Sequence, residues 1–318
     1  MGNSKNNKER FININYEEFK KLLEERLKDY FPQEYQAEIS KIYKTNGEVD
    51  GLVFRSEELQ NCSPIIYVEA LYKVYEETKD LEKILEDIKN EFMGALEHIP
   101  NINNFMDREF IKQNVVFKLI NTEQNKDRLE QMPHREFMDL SIVYNVIIRN
   151  DDFNIASGLI HNHLAKKLGF SEQELFDLAK QNTTRIFPLV IRDIEKLIGV
   201  DVKGMYIVTN IASFNGSVGM LYDDELSLIA EELNSDLYII PSSINEVIVI
   251  KANTYVDEIT KMINEINDNR DIIQKEDVLS NQPYFYNKMF HSISTTKGNN
   301  IITETLINSP TKNNNKIV

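Results

Sequence analysis

The chain has 318 residues, 42% of them hydrophobic and 27% charged, with a formal net charge of −15 and a pI near 4.9. No apolar run approaches the ~20 residues of a membrane-spanning helix, so a membrane is not an expected partner. The acidic balance repels phosphate backbones and disfavours nucleic acid as well.

The first ten residues are polar and carry no apolar stretch for a signal peptide. The Met1-Gly2 start lacks the Ser or Thr that myristoylation expects at the sixth position, where Asn6 stands. Cys62 is the one cysteine, in Gln60-Asn61-Cys62-Ser63-Pro64. With no second thiol for a disulfide and no neighbouring cation to activate it, it reads as a neutral thiol in a reducing, cytoplasmic setting.

In chain order, residues 1–14 are expected to be flexible. Tyr16 to Tyr30 spaces Phe19, Leu22, Leu23 and Leu27 as one helical face. Asn46-Gly47 is a strong hairpin signal between strands at 37–45 and 48–55. Helices are expected at 64–78, with an aromatic edge of Tyr67, Tyr72 and Tyr75, and at 81–96. Val115 to Ile120 reads as a strand and 123–131 as a short helix. Leu140 to Ile148 is a strongly apolar strand. Helices follow at 159–168, at 172–183 behind a Ser171–Glu174 capping box, and at 188–198.

Met205 to Asn210 and Val218 to Tyr222 read as a strand pair turned by Asn215-Gly216, and Asp223 opens a helix. Leu237 to Ile240 and Val247 to Ile250 are apolar strands, broken by Pro241-Ser242-Ser243 and expected to lie side by side. Tyr255 to Ile266 is a helix. The tail 291–318 is rich in Asn and Thr, sets Lys297, Lys312 and Lys316 against Glu304, and is expected to be disordered.

These elements predict an α+β (mixed α/β) fold, with antiparallel or mixed sheets and packed amphipathic helices. The expected division is an N-terminal α+β module over 15–150 and a C-terminal α/β module over 151–290. The boundary is placed at the Asn150-Asp151-Asp152 turn.

Glycine-rich phosphate loops, a Gly-x-Ser-x-Gly elbow, His-Glu-x-x-His and paired cysteines are all missing. His161 and His163 would share a face only on a strand, and their segment reads helical, so no metal and no cofactor is expected. His134, with Arg135 beside it and Asp139 five residues on, could be a base with its orienting carboxylate. Structural hydrogen bonding in a turn accounts for the same residues.

The loop Pro241 to Glu246 offers Ser242, Ser243, Asn245 and Glu246 between two apolar strands, and Asn210 could close the same rim. Ends of strands are where ligands bind in α/β folds. The bland alternative is a tight turn whose hydroxyls satisfy its own amides.

Several phrases then fall in order: Ser63-Pro64-Ile65-Ile66-Tyr67, Pro133-His134-Arg135-Glu136-Phe137-Met138-Asp139-Leu140, Met205-Tyr206-x-x-Thr209-Asn210, and Tyr238-Ile239-Ile240-Pro241-Ser242-Ser243-Ile244. In these the chain resembles an uncharacterised Firmicutes family, the domain of unknown function 5688, over about residues 15–290. The family pattern has a histidine where Asn245 stands. The resemblance implies no activity, and that departure weakens an enzymatic role for the loop. Two functions are expected: a binding module for a small molecule or protein partner, or a hydrolase-like enzyme using His134 and Asp139 with Ser242, Ser243 and Glu246.

Overall fold

A computed structural model describes residues 13–32, 34–56, 59, 64–96, 102–150, 155–199, 201, 203–252, 255–269, 273–296, 302–308 and 317. The expected flexible segment, apart from residues 13 and 14, and Cys62 lie outside the described residues. The chain divides into two compact units, residues 1–44 with 48–100, and residues 45–47 with 101–318.

In the first unit, α1 (Tyr16–Tyr30) starts at a full capping box: Asn15 accepts from the Glu18 amide and Glu18 accepts from the Asn15 amide. It buries Phe19, Leu23 and Leu27. Strands β1 (Gln36–Tyr43), β2 (Glu48–Arg55) and β3 (Ile65–Tyr67) form an antiparallel sheet, with Ser40 opposite Gly51. Helices α2 (Val68–Thr78) and α3 (Leu81–Leu96) complete the unit.

Phe54 stacks on Phe92 at 4.0 Å, and Tyr72 and Tyr75 turn inward onto Phe19 rather than forming an outer patch. The helix expected from residue 64 begins only at Val68. The β-branched pair Ile65-Ile66 joins β2 instead, where Gly51 leaves room for the Ile65 side chain.

Asp50 is nearly inaccessible in this unit and accepts from the Tyr16 hydroxyl (3.0 Å), Lys20 (3.0 Å) and Lys41 (2.9 Å). Burial by itself would raise its carboxyl, but these three donors outweigh that and hold it below the usual carboxylate value.

The second unit holds two sheets, both antiparallel. In the smaller one, β6 (Leu140–Asn150) is flanked on one side by β4 (Val115–Asn121). On its other side lie β5 (His134–Phe137) and β7 (Ile155–Leu159), end to end. Helices α4 (Arg108–Asn114), α5 (Lys126–Leu129) and α6 (Asn162–Leu168) surround it, and α7 (Glu172–Ile186) packs its apolar face.

The larger sheet has seven strands, in the order β14 (Thr303–Thr305), β13 (Ser292–Thr295), β12 (Tyr284–Asn287), β10 (Leu237–Ser243), β11 (Glu246–Lys251), β9 (Met205–Asn210), β8 (Leu189–Asp193). Its inner face carries Val208, Leu237, Ile239, Val247, Val249 and Tyr284 in the main core. Helices α8 (Ile194–Ile198), α9 (Asp223–Glu232) and α10 (Val256–Asp268) complete the unit, and α10 covers Ile240, Ile248 and Ile250 on the outer face.

The expected pairing of the apolar ribbons around the double serine is present, with Ile239 opposite Val249. Several expectations are corrected. The helices expected at 159–168 and 188–198 each shorten: Ile155–Leu159 pairs with β6, and Leu189–Asp193, rich in β-branched residues, pairs with β9 before Asp193 caps α8.

Val218 to Tyr222 is no strand, because Gly216–Leu221 coils as a 3-10 helix against β9. A Cβ on Gly216 would lie 2.2 Å from Thr209 Oγ1 and 2.3 Å from the Asn245 carbonyl oxygen. Ser171 caps α7 without the reciprocal bond, since Arg108 takes the Glu174 carboxylate.

Pro241 does not end β10; a register shift between Ile240 and Ser243 absorbs the residue that cannot donate, and the strand runs on. The expected boundary near 150 is a hairpin joint inside one unit, as Asn150 pairs with Ile155 across residues that lie outside the description. Of the tail expected to be disordered, the described part supplies β13 and β14, and residues 297–301, 309–316 and 318 lie outside the described residues. Burial of Ile293, Thr295 and Leu306 shows that a few alternating residues suffice to hold a half-buried strand.

Two stability tests follow from this packing. Asp50→Asn should cost about 1.5–3 kcal/mol near neutral pH, the range for hydrogen bonds to a charged group. Because the folded carboxyl titrates below its unfolded value, its stabilisation is present above that value and fades as pH falls through the folded one. The gap between wild type and variant in urea titrations should therefore close below about pH 4. Gly216→Ala should destabilise by roughly 1–3 kcal/mol or more, as overpacking does in a closed site, and a wild-type unfolding midpoint would contradict the close approach.

Candidate functional site

Asn210, Asn245 and the serines converge, but on the protein's own backbone. Asn210 accepts from the amides of Ala212 (3.0 Å) and Phe214 (3.2 Å) and donates to the Phe214 carbonyl (2.8 Å). Asn245 accepts from the Asn215 amide (3.1 Å), and its carbonyl takes the Thr209 hydroxyl (2.7 Å). Ser242 donates to the Glu246 carbonyl (3.1 Å), and Ser243 accepts from the Asn245 amide (3.0 Å). The two-residue turn between β10 and β11 is thus satisfied by its own serines together with Thr209, Asn215, Ser217 and the Asp277 carbonyl. Among the described residues the Glu246 carboxylate bonds neither the serines nor His134.

The segment at 133–139 splits three ways. Arg135 forms a fork with Glu172 (2.9 and 3.2 Å), reaches Gln173, and stacks at 3.7 Å over Phe176. The hydroxyl of buried Tyr144 joins the same carboxylate. Asp139 accepts from Ser280 and Tyr284, each at 2.7 Å. Burial and then the Asp139 charge push the Tyr284 phenol far up, so it remains a donor.

His134 lies on the opposite face of β5 from Arg135, with Nδ1 at 3.0 Å from the Met132 carbonyl oxygen. A carbonyl can only accept, so Nδ1 is the protonated nitrogen in this contact. The Asp139 carboxylate and the His134 imidazole therefore have separate partners and do not form a base with its orienter.

His161 caps α6 in an extended conformation, and His163 is helical. Among the described residues no group of three or more His, Cys, Asp or Glu is placed to hold a metal ion.

Sequence reasoning passed over Lys118. The register Lys118–Val143–His134 crosses β4, β6 and β5, so all three side chains share one face of the smaller sheet. On this face Ile120, Val143 and Leu129 pack as one small apolar cluster and Val116, Ile147 and Phe187 as another, and Asn145 donates to Ser157 at 2.9 Å. Lys118 sits in the row between Val116 and Ile120, is partly accessible, and makes no hydrogen bond or ion pair to a described residue.

Burial first, and then the Arg128 charge, bring the Lys118 amine down from 10.5 to about 8, with Asp277 opposing. A lysine in the middle of Val-Val-Phe-Lys-Leu-Ile was the available signal, an ionisable group where the strand pattern is otherwise apolar.

The second feature is a groove of about 590 Å³ on the outer face of the larger sheet. Met205, Leu233 and Ile250, with Ile259 and Met262 of α10, supply its apolar lining. Lys203, Lys251 and Glu258, all exposed, join the lining.

Lys118 carries a pH signature. Its folded amine titrates below its unfolded value, so ionised Lys118 costs stability at low pH, and the cost vanishes once pH passes the unfolded value. Lys118→Met should stabilise by on the order of 1–3 kcal/mol at pH 7. The gain should shrink as pH rises from 8 towards 10.5, the window between the two values. A gain independent of pH would show that the amine is not the cause.

No curated protein and no solved structure matches this chain. A family model matches residues 16–288, from the start of α1 to the residue after β12, and the chain accordingly belongs to the family of unknown function DUF5688.

Proposed function

We propose that the chain is a small-molecule-binding protein whose ligand has an apolar body and an acidic head. The observation that carries this reading is the groove beside α10. Its volume of about 590 Å³ falls in the ~300–1,000 Å³ range of small-molecule sites, and its lining follows their pattern of apolar walls with a few polar groups. Met205, Leu233, Ile250, Ile259 and Met262 would take the apolar body. Lys251 has no described carboxylate partner, and Lys203 meets Asp201 only at 4.0 Å, both of them largely exposed. Such an exposed pair contributes little and yields readily to a ligand carboxylate.

The hydrolase reading draws no support from the bonding of its residues, since the hydroxyls of Ser242 and Ser243 are engaged within their own turn and Asp139 serves Ser280 and Tyr284.

Calorimetric titration with decanoate and decanol tests the binding reading. Decanoate should bind, decanol should bind about tenfold more weakly (roughly 1.4 kcal/mol), and Lys251→Glu should erase the difference. Met262→Glu should weaken both. Absence of heat from either compound up to millimolar concentrations would reject the groove as the site.

A further inference from the structure

We propose, on the strength of the binding reading above, that the acidic head of the groove's ligand is a zwitterion, with an ammonium and a carboxylate on one carbon. The site then takes an α-amino acid with a long apolar side chain.

The charges of the lining carry this assignment. Three ionisable side chains belong to the groove, Lys203, Lys251 and Glu258. Lys203 has Asp201 within 4.0 Å. One cation and one anion remain, Lys251 and Glu258, and they are delivered by different elements. Lys251 is the last residue of β11, and Glu258 lies in the first turn of α10. Among the described residues neither has an ion-pair partner, and they do not close on each other. The lysine one turn along the helix, Lys261, meets Glu265 instead, at 3.7 Å, and neither of those two lines the groove.

Each of the two charges adjoins an apolar part of the lining. Glu258 and Met262 are four residues apart on α10, which makes them neighbours on one side of the helix. Lys251 follows Ile250, whose partner across the sheet is Met205 on β9. A side chain lying against Met205, Ile250 and Met262 therefore ends beside one group of each sign.

Electrostatics then separates three kinds of amphiphile. A plain carboxylate takes Lys251 but faces Glu258, which repels it. A plain amine takes Glu258 but faces Lys251. An α-amino acid satisfies both groups with one head and meets neither repulsion. Because both side chains are exposed, solvent screens each contact, and the advantage is a few-fold in affinity rather than many decades.

Calorimetric titration of the intact chain at low ionic strength with octanoate, octylamine and 2-aminooctanoate tests this, with decanoate as the control for the groove itself. 2-Aminooctanoate should bind about fivefold more tightly than either singly charged compound. In about 1 M salt that gain should disappear, since screening then acts within a few ångströms. Glu258→Gln should leave octanoate binding unchanged or slightly tighter, and should drop 2-aminooctanoate to or below octanoate, because its ammonium loses its partner. Glu258 is exposed, so the variant should unfold at the wild-type midpoint. Decanoate binding without any preference for 2-aminooctanoate over octanoate would overturn the zwitterion and leave the groove reading standing. A preference that survives Glu258→Gln would overturn it as well. Absence of heat from decanoate and 2-aminooctanoate alike would reject both.

Discussion

The second unit is organised by how closely its backbone segments approach one another around Gly216. The 3-10 turn after Asn215 lies on β9 and on the β10–β11 turn with no room for a side chain at its first residue. That contact drives Val218, Met220, Leu221 and Tyr222 into the core. It also brings Ser217 onto the Ile244 carbonyl, through its amide at 3.3 Å and its hydroxyl at 2.7 Å. Interiors pack at crystal-like density, so a tight approach at one point determines how neighbouring strands lie. The polar side chains at this junction are consumed in holding the approach, which is why Asn210 and Asn245 end up structural.

Against that background the charged groups divide into two kinds. Asp50, Asp139 and Glu172 each have two or more donors, and Arg135 has its carboxylate and an aromatic face. These are compensated groups, and a buried charge with full partners is compatible with a stable fold without adding much to it. Lys118 is the other kind. It lies in an apolar strand, and of the two charges that act on it the stronger, Arg128, opposes its ionisation while Asp277 favours it. A protein that carries a lysine at mid-strand with so little compensation loses stability for it. The groove beside α10 is separate from this face and calls on ordinary apolar burial.

Much of the architecture could be read from residue spacing. The 3.6-residue spacing of Phe19, Leu23 and Leu27, the Asn46-Gly47 turn, and the runs Leu237–Ile240 and Val247–Ile250 each express a preference complete within a few neighbouring residues. The same local logic misled at Leu189 and Val218. There a short apolar run suits a strand or a helix equally, and the choice fell to the partner: β9 accepts Leu189–Asp193 as an edge, and the glycines let 216–221 coil against it.

The sequence by itself determined the α+β class, the hairpin at Asn46-Gly47, the pairing of the two strands around the double serine, and most of the longer helices, because those follow from local periodicity and turn chemistry. The tertiary structure alone decided which polar residues had anything left to offer. Whether a serine, histidine or lysine is satisfied depends on groups far along the chain: Ser280 and Tyr284 for Asp139, Met132 for His134, Arg128 and Asp277 for Lys118. Hydrogen bonding and desolvation act over a few ångströms of space, and separation in sequence does not report that distance.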